Sequence, residues 1–174
     1  IMDGIFEKRK CLVIYDKEMS GKTIGFYVEP EKLLSYHGGL YVIVYIRNLN
    51  KFRILAVHRI VDWKVYDEIF PDDHSFNEKE FMKNRFGLFE GKTEKIKLKF
   101  KKSIRHLIEH KTWHSTQIFL DDKNQNLTME FESPISPELI SWIMSWHKNV
   151  RVTKPNILKE EIINNLKLGA SQYS

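Results

Sequence analysis

The stretch LYVIVYIRNLNKFRILAVHRI, residues 40–60, reads as a β-hairpin and decides how the rest of the chain is read. Seven apolar or aromatic residues, Leu40 to Ile46, are followed by the polar break Arg47-Asn48-Leu49-Asn50-Lys51 and by a second apolar run closing on Arg59. The break is rich in residues that tolerate turn geometry and is short enough for a hairpin loop. Val, Ile and Tyr dominate both runs, as suits a pleated, largely buried surface. Strand alternation puts Arg53, Leu55, Val57 and Arg59 on one face, and Tyr41, Ile43, Tyr45 and Arg47 on one face of the other run. If those faces meet, arginines and tyrosine hydroxyls collect at the rim of a small β-core. Guanidinium forks beside aromatic rings suit a phosphate with a base or sugar attached. Spacing alone favours the plainer alternative, arginines that simply reach solvent from strand ends.

Outward from the hairpin, residues 10–16 read as a strand, Ser20-Gly21 as a turn, and Thr23 to Val28 as a second strand. Val61 to Ile69 continues or follows the hairpin, since Val61, Trp63, Val65 and Asp67 alternate against their neighbours. About five short strands in some sixty residues is the scale of a small SH3- or Sm-like barrel. Pro71-Asp72-Asp73 ends it. Ser75 with Glu78 makes a capping-box pattern for a short helix with Phe81 and Phe86 on its apolar side, and Gly87 can stop it.

The second half changes rhythm. Ile96, Leu98 and Phe100 alternate with Lys95, Lys97, Lys99 and Lys101, which predicts a half-buried strand with a basic outer face. Ser103 to His110 reads as a helix with Ile104, Leu107 and Ile108 on one side. Trp113 to Leu120 reads as a strand, residues 121–126 as a turn, and Leu127 to Phe131 as the partner strand. Ser136-Pro137-Glu138 starts a helix whose face is Leu139, Ile140, Ile143 and Trp146. Val150-Arg151-Val152 is a short strand, and Pro155 opens a last helix carrying Leu158, Ile162 and Leu166. The order is β-α-β-β-α-β plus a terminal helix, the split βαβ pattern of a ferredoxin-like domain. The fold class expected is therefore α+β: a small β-barrel over residues 1–73, a linker helix within 74–92, and a ferredoxin-like domain over 93–174.

Composition narrows the function classes. Hydrophobic residues at 42% and charged ones at 29% suit a folded globular chain and argue against disorder. A net charge of +5 leans toward an anionic partner. One cysteine, Cys11, excludes an internal disulfide and suits a reducing, cytoplasmic setting. It sits in an apolar run, as an inert buried thiol would. No apolar stretch reaches the length of a membrane span.

Enzymatic signals are weak. Ser20-Gly21-Lys22-Thr23 resembles the end of a phosphate-binding loop, but the glycine required five places before Gly21 is Asp16. His106 and His110 are four apart on an expected helix, with only Glu109 beside them to complete a metal site. Asp72-Asp73 and Asp121-Asp122 fall in expected turns, where carboxylates cap backbone groups. The expectation is no catalytic residues, no metal and no cofactor. The lysine stripe of residues 95–102 fits either a phosphate-tracking surface or a solvated strand face whose lysines discourage edge pairing.

Residues 28–60 also resemble the core of a WYL domain, whose signature is Trp-Tyr-Leu on one strand and R-x-F-x-L-x-R-I on the next. Here the first triplet is Leu40-Tyr41-Val42, keeping only the tyrosine. The second motif is Arg53-Ile54-Leu55-Ala56-Val57-His58-Arg59-Ile60, keeping both arginines and the final isoleucine. Val28-Glu29-Pro30, Leu33-Leu34 and Gly38-Gly39 resemble the family's approach to that strand. The second half resembles the WCX extension that follows WYL domains, through Phe86-Gly87, Trp113-His114-Ser115-Thr116-Gln117, the tryptophan-bearing helix and the Val152…Pro155 step.

The resemblance implies the ligand-sensing and oligomerising region of a bacterial transcriptional regulator. The implied ligand is a single-stranded nucleic acid or nucleotide-like effector, held by Tyr41, Arg53 and Arg59 with Tyr15 beside them. It further implies a homodimer, with promoter DNA read only through a separate helix-turn-helix; nothing before Cys11 has the length for one, and the opening Ile1-Met2 fits either a piece of a longer protein or a residue added ahead of the methionine. Two other readings stay open: a stand-alone RNA- or DNA-binding accessory protein, and a dimerisation module whose ligand site has decayed.

Overall fold

The computed structural model describes residues 1–17, 19, 21–71, 73–121 and 125–173, and the chain divides into two units, Ile1–Phe76 and Asn77–Ser174. Ser20 of the loop-like tetrad, Asp72, Asp122 and the turn over 122–124 lie outside the described residues.

The first unit begins with a short helix, α1 (Met2–Phe6), and continues through β1 (Arg9–Asp16), β2 (Thr23–Tyr36), β3 (Gly39–Ile46), β4 (Lys51–Ala56) and β5 (Ile60–Ile69). Among the described residues these strands form one antiparallel sheet in the order β4-β3-β2-β1-β5. Alternation sends Cys11, Val13 and Tyr15, Val28, Val42 and Val44, and Leu55 into one core, with Phe26, Trp63 and Val65 packed against it. Each fully buried aliphatic side chain here contributes about 1.5–3 kcal/mol. β2 runs well past Val28, where the sequence suggested its end. Proline lacks a donor for the ladder, and a register shift between Pro30 and Lys32 lets the strand bend and continue.

The hairpin forms around the expected break. Arg47–Leu49 makes a 3-10 turn, and Asn50 takes φ 47° and ψ 46°, a left-handed conformation that asparagine tolerates. Its second strand stops sooner than expected. The chain leaves the ladder after Ala56, and Val57–Arg59 forms a second 3-10 turn before β5.

Beyond β5, Phe70 donates its N–H to the Lys8 carbonyl at 2.9 Å. His74 then stacks on Tyr45 with ring centroids 4.0 Å apart, and Phe76 lies 5.1 Å from Phe52. The expected linker is therefore divided: 74–76 packs with the first unit, while 77–92 belongs to the second. Its helix, α2 (Glu78–Lys83), is capped by Asn77, whose side chain accepts the Glu80 N–H at 3.1 Å, rather than by Ser75. Gly87 does not stop that helix. It adopts φ +59° between β6 (Arg85–Phe86) and β7 (Phe89–Glu90), where a side chain would collide with Glu138.

The second unit continues with β8 (Thr93–Phe100), α3 (Arg105–Ile108), β9 (Ile118–Asp121), β10 (Leu127–Pro134), α4 (Pro137–Ser145), β11 (Val150–Lys154) and α5 (Asn156–Ala170). Its antiparallel sheet has the order β11-β8-β10-β9. Ile96, Leu98 and Phe100 are buried in its core with Leu127, Met129, Leu139, Ile143, Val152 and Leu158. Ser136 caps α4 by accepting the Leu139 N–H at 3.2 Å.

Three expectations for this unit change. The helix expected over 103–110 is a 3-10 turn plus the four residues of α3, leaving Leu107 exposed. The 113–117 segment is not strand, because the Gln117 carboxamide takes the N–H groups of Trp113 and His114 at 2.6 and 3.1 Å. Leu166 is exposed, so the buried face of α5 is Leu158 with Ile162. Among the described residues no helix is long and apolar enough to cross a membrane.

Candidate ligand site

Tyr15, near the end of β1, is buried at 7% exposure. Its hydroxyl accepts the Ala56 N–H at 3.2 Å, and its ring meets Phe26 edge-on at 6.5 Å. That hydrogen bond fixes the end of β4 at the point where the chain turns into Val57–Arg59. The turn in turn presents Arg59: its guanidinium carbon lies 4.9 Å from the Tyr15 ring centroid, and Nε donates to the Asp16 carbonyl at 2.9 Å. The two terminal nitrogens of Arg59 have no hydrogen-bond partner among the described residues. A guanidinium fixed by one nitrogen and one aromatic face keeps its fork pre-organised for an anion.

Arg53 and Tyr41 do not stand together as strand parity suggested. Arg53 pairs across with Val44, whereas Tyr41 pairs with Ala56 and Tyr45 with Phe52. Residues directly opposite in an antiparallel pair share a face, so Arg53 lies on the Val42, Val44 and Leu55 side and Tyr41 on the reverse side. Tyr41 instead folds its ring beside Gly39, where a Cβ would come within 2.9 Å of it. Of the four expected residues, Tyr15 and Arg59 are in contact, Arg53 shares the core-side face, and Tyr41 is on the other. The shared parity of Arg53 and Arg59 also fails as an argument, because the 3-10 turn interrupts the strand between them.

The reverse face holds a cluster that sequence reasoning missed. Glu29, buried at 3% exposure, receives Arg47 Nε at 2.7 Å and Nη2 at 2.9 Å. Arg47 also grips Asp73 at 2.8 and 3.1 Å, and His74 Nε2 lies 2.8 Å from Glu31. The Arg47 guanidinium holds the Asp73 carboxyl down to about 2. A carboxylate inside the apolar run around Val28 was the available signal, since a buried acid requires a cation. Nothing in the spacing said which one.

The other candidates find ordinary partners. Burial pushes the Cys11 thiol above its usual range, as expected of an unreactive core cysteine. His106 and His110 are exposed, and Glu109 pairs with Arg105 at 2.6 Å. Among the described residues no group of three His, Cys, Asp or Glu side chains is placed to hold a metal. The lysine-bearing face is of mixed charge: Lys97 pairs with Glu130 at 2.6 Å, and Lys95 lies across from Glu132.

Two family models match the chain in tandem, the WYL domain over residues 1–65 and the WCX domain over residues 92–168. No curated protein matches. Among solved structures the chain is similar to a "CRISPR Cas-related protein", at 12% identity and TM-score 0.63, covering 99% of this chain and 49% of that one. A second similarity is to "Proteasome accessory factor B/C (PafBC)" of Arthrobacter aurescens, at 16% identity and TM-score 0.43, covering 99% of this chain and 26% of that one. The chain thus spans about half or less of the length of these proteins.

Proposed function

We propose, for a chain that belongs to the WYL-domain family with a WYL domain followed by a WCX domain, that it is the ligand-sensing region of a bacterial transcriptional regulator. The strand order of the first unit, with a 3-10 turn joining β4 to β5, supports reading it as a small SH3-like barrel. In the second unit the fourth strand lies beside the first and the third between first and second, which supports the ferredoxin-like plan. Promoter DNA is read elsewhere in the regulator, the chain works as a homodimer in the cytoplasm, and it carries out no catalysis.

The effector is a single-stranded nucleic acid or nucleotide-like molecule. One observation carries this: Arg59, anchored on Asp16 and stacked on the buried Tyr15, holds two nitrogens ready for a phosphate. Arg53, on the same side of the sheet, supplies a second phosphate contact. Tyr15 is too buried to stack on a base and acts as a positioning residue that sets the Arg59 fork. Fluorescence anisotropy with labelled short single strands tests the reading: Arg59→Ala weakens binding by about 1.5–3 kcal/mol, the worth of a charge-assisted hydrogen bond. Undiminished binding in that variant contradicts it.

A further inference from the structure

The first sheet has a second decorated surface, on the face opposite its core. Leu12 pairs across with both Tyr27 and Lys64, so all three share the outer face, together with Lys10 and Tyr66 two residues away along their strands. His74 and Phe76 pack on the β3–β4 side of this face, against Tyr45 and Phe52. On the β2-β1-β5 side Tyr27 is 50% exposed, and its ring centroid lies 5.8 Å from that of Tyr66. Lys10 Nζ stands 5.0 Å over Tyr27, and Lys64 Nζ 5.1 Å over Tyr66. A cavity of about 110 Å³ adjoins Tyr27 and reaches Tyr45, Arg47 and Asn48.

The cations are not equivalent. Lys10 is held by both carboxylate oxygens of Glu68 at 3.1 Å, which offsets its charge. Lys64 has no carboxylate partner among the described residues. One exposed ring and one half-buried ring on a pleated surface, with an ammonium beside them that makes no ion pair among the described residues, match what a single-stranded nucleic acid offers: an unpaired base with two π faces and a phosphate one linkage away. A duplex keeps its bases stacked and unavailable. Glu68, paired with Lys10, and Asp62, two residues from Lys64 on the same strand, border the rings and limit the contact to a short length, about two nucleotides for two rings.

We propose that Tyr27, Tyr66 and Lys64 form a base-stacking platform for a single-stranded nucleic acid, distinct from the Arg59 site. Tyr27 belongs to the outer face and Tyr15 to the core, so this platform does not depend on the Arg59 reading. The test is photo-crosslinking of a single-stranded oligonucleotide bearing 5-iodouracil to the full chain, followed by peptide mapping. Crosslinks are expected at Tyr27 or Tyr66 and survive in Arg59→Ala. In anisotropy titrations made in the Arg59→Ala background, where the platform is read alone, Tyr27→Leu, which keeps apolar bulk on the sheet, weakens the remaining binding roughly 5- to 150-fold, and Tyr27→Phe leaves it intact. Lys64→Ala reduces the salt slope by about 0.7. Crosslinks confined to the β1–β2 and 57–59 turns, or unchanged affinity when Tyr27→Leu/Tyr66→Leu is added to an Arg59→Ala chain without lowering its melting temperature, would overturn the platform and leave the Arg59 site standing. Selective binding of an acidic peptide with no oligonucleotide binding would overturn it as well.

Discussion

Arg59 lies 4.9 Å over the ring of Tyr15, and the hydroxyl of that same tyrosine accepts the Ala56 N–H three residues earlier in the chain. One buried side chain thus fixes both ends of the turn that presents the guanidinium. Tyr15→Phe keeps the ring and removes the acceptor, stranding a buried N–H at a cost of about 1–3 kcal/mol. Urea denaturation should register that loss of stability, with a smaller effect on ligand affinity than Arg59→Ala. Equal stability in the two proteins would mean that the hydroxyl does not hold the turn.

The Glu29–Arg47–Asp73 cluster makes stability depend on acidity. Asp73 is held by Arg47 at about 2, below its ordinary carboxylate value of 3.8. A depressed carboxyl stabilises the fold fully above its unfolded value and loses that contribution as pH falls toward 2. Urea midpoints of wild type and Asp73→Asn should therefore differ at pH 5 and converge near pH 2. Arg47→Ala should destabilise more than Asp73→Asn, because it removes the two-nitrogen grip on the buried Glu29 carboxylate and leaves it only the His74 ring, 3.6 Å away.

His114 introduces a second pH dependence, in the other unit. Its Nε2 lies 2.8 Å from the Arg85 carbonyl, and its Nδ1 accepts the Thr116 N–H at 3.2 Å. This arrangement suits the neutral ring. Burial, the larger influence, pushes its pKa below the ordinary 6.5, against the opposing pull of the Arg85 carbonyl. Its contribution is complete above the unfolded value of 6.5 and fades as pH falls toward the lower folded value. The slope is bounded by one proton, about 1.4 kcal/mol per pH unit. Denaturation between pH 7.5 and 5 should show the decline in wild type and a flatter profile in His114→Gln.

The helix caps separate two similar-looking serines. Ser136→Ala removes the acceptor of the Leu139 N–H and should cost about 0.5–2 kcal/mol, as should Asn77→Ala. Ser75→Ala, at the position the capping-box pattern favoured, should leave stability unchanged. Thermal melts of the three variants distinguish them.

The strands and most core residues were legible because alternation is a short-range signal: Ile96, Leu98 and Phe100, or Cys11 and Val13, announce their face within a few residues. What was lost was decided by long-range partners. Arg53 and Arg59 look equivalent by parity until the Tyr15 hydroxyl, some forty positions upstream, ends the strand at Ala56. Tyr41 reads as an arginine-side residue by parity alone, but cross-strand register depends on where Arg47–Asn50 turns, and a shift of one residue exchanges faces. The Ser75 pattern lost to Asn77 because neighbouring His74 and Phe76 are committed to Tyr45 and Phe52. Gln117 ended an apparent strand by competing for its backbone donors, which composition does not reveal.

The most direct measurement is a salt titration of anisotropy for a short labelled single strand with wild type, Arg59→Ala, Arg53→Ala and a Lys97→Ala/Lys99→Ala pair. The two arginine contacts contribute roughly −1.4 to the slope of log affinity against log salt, and loss of either arginine removes about 0.7 of it. The lysine pair should bind like wild type. Unchanged affinity and slope in both arginine variants, with a clear loss in the lysine pair, would contradict a sensor site at Arg59 and place the nucleic acid on the second sheet.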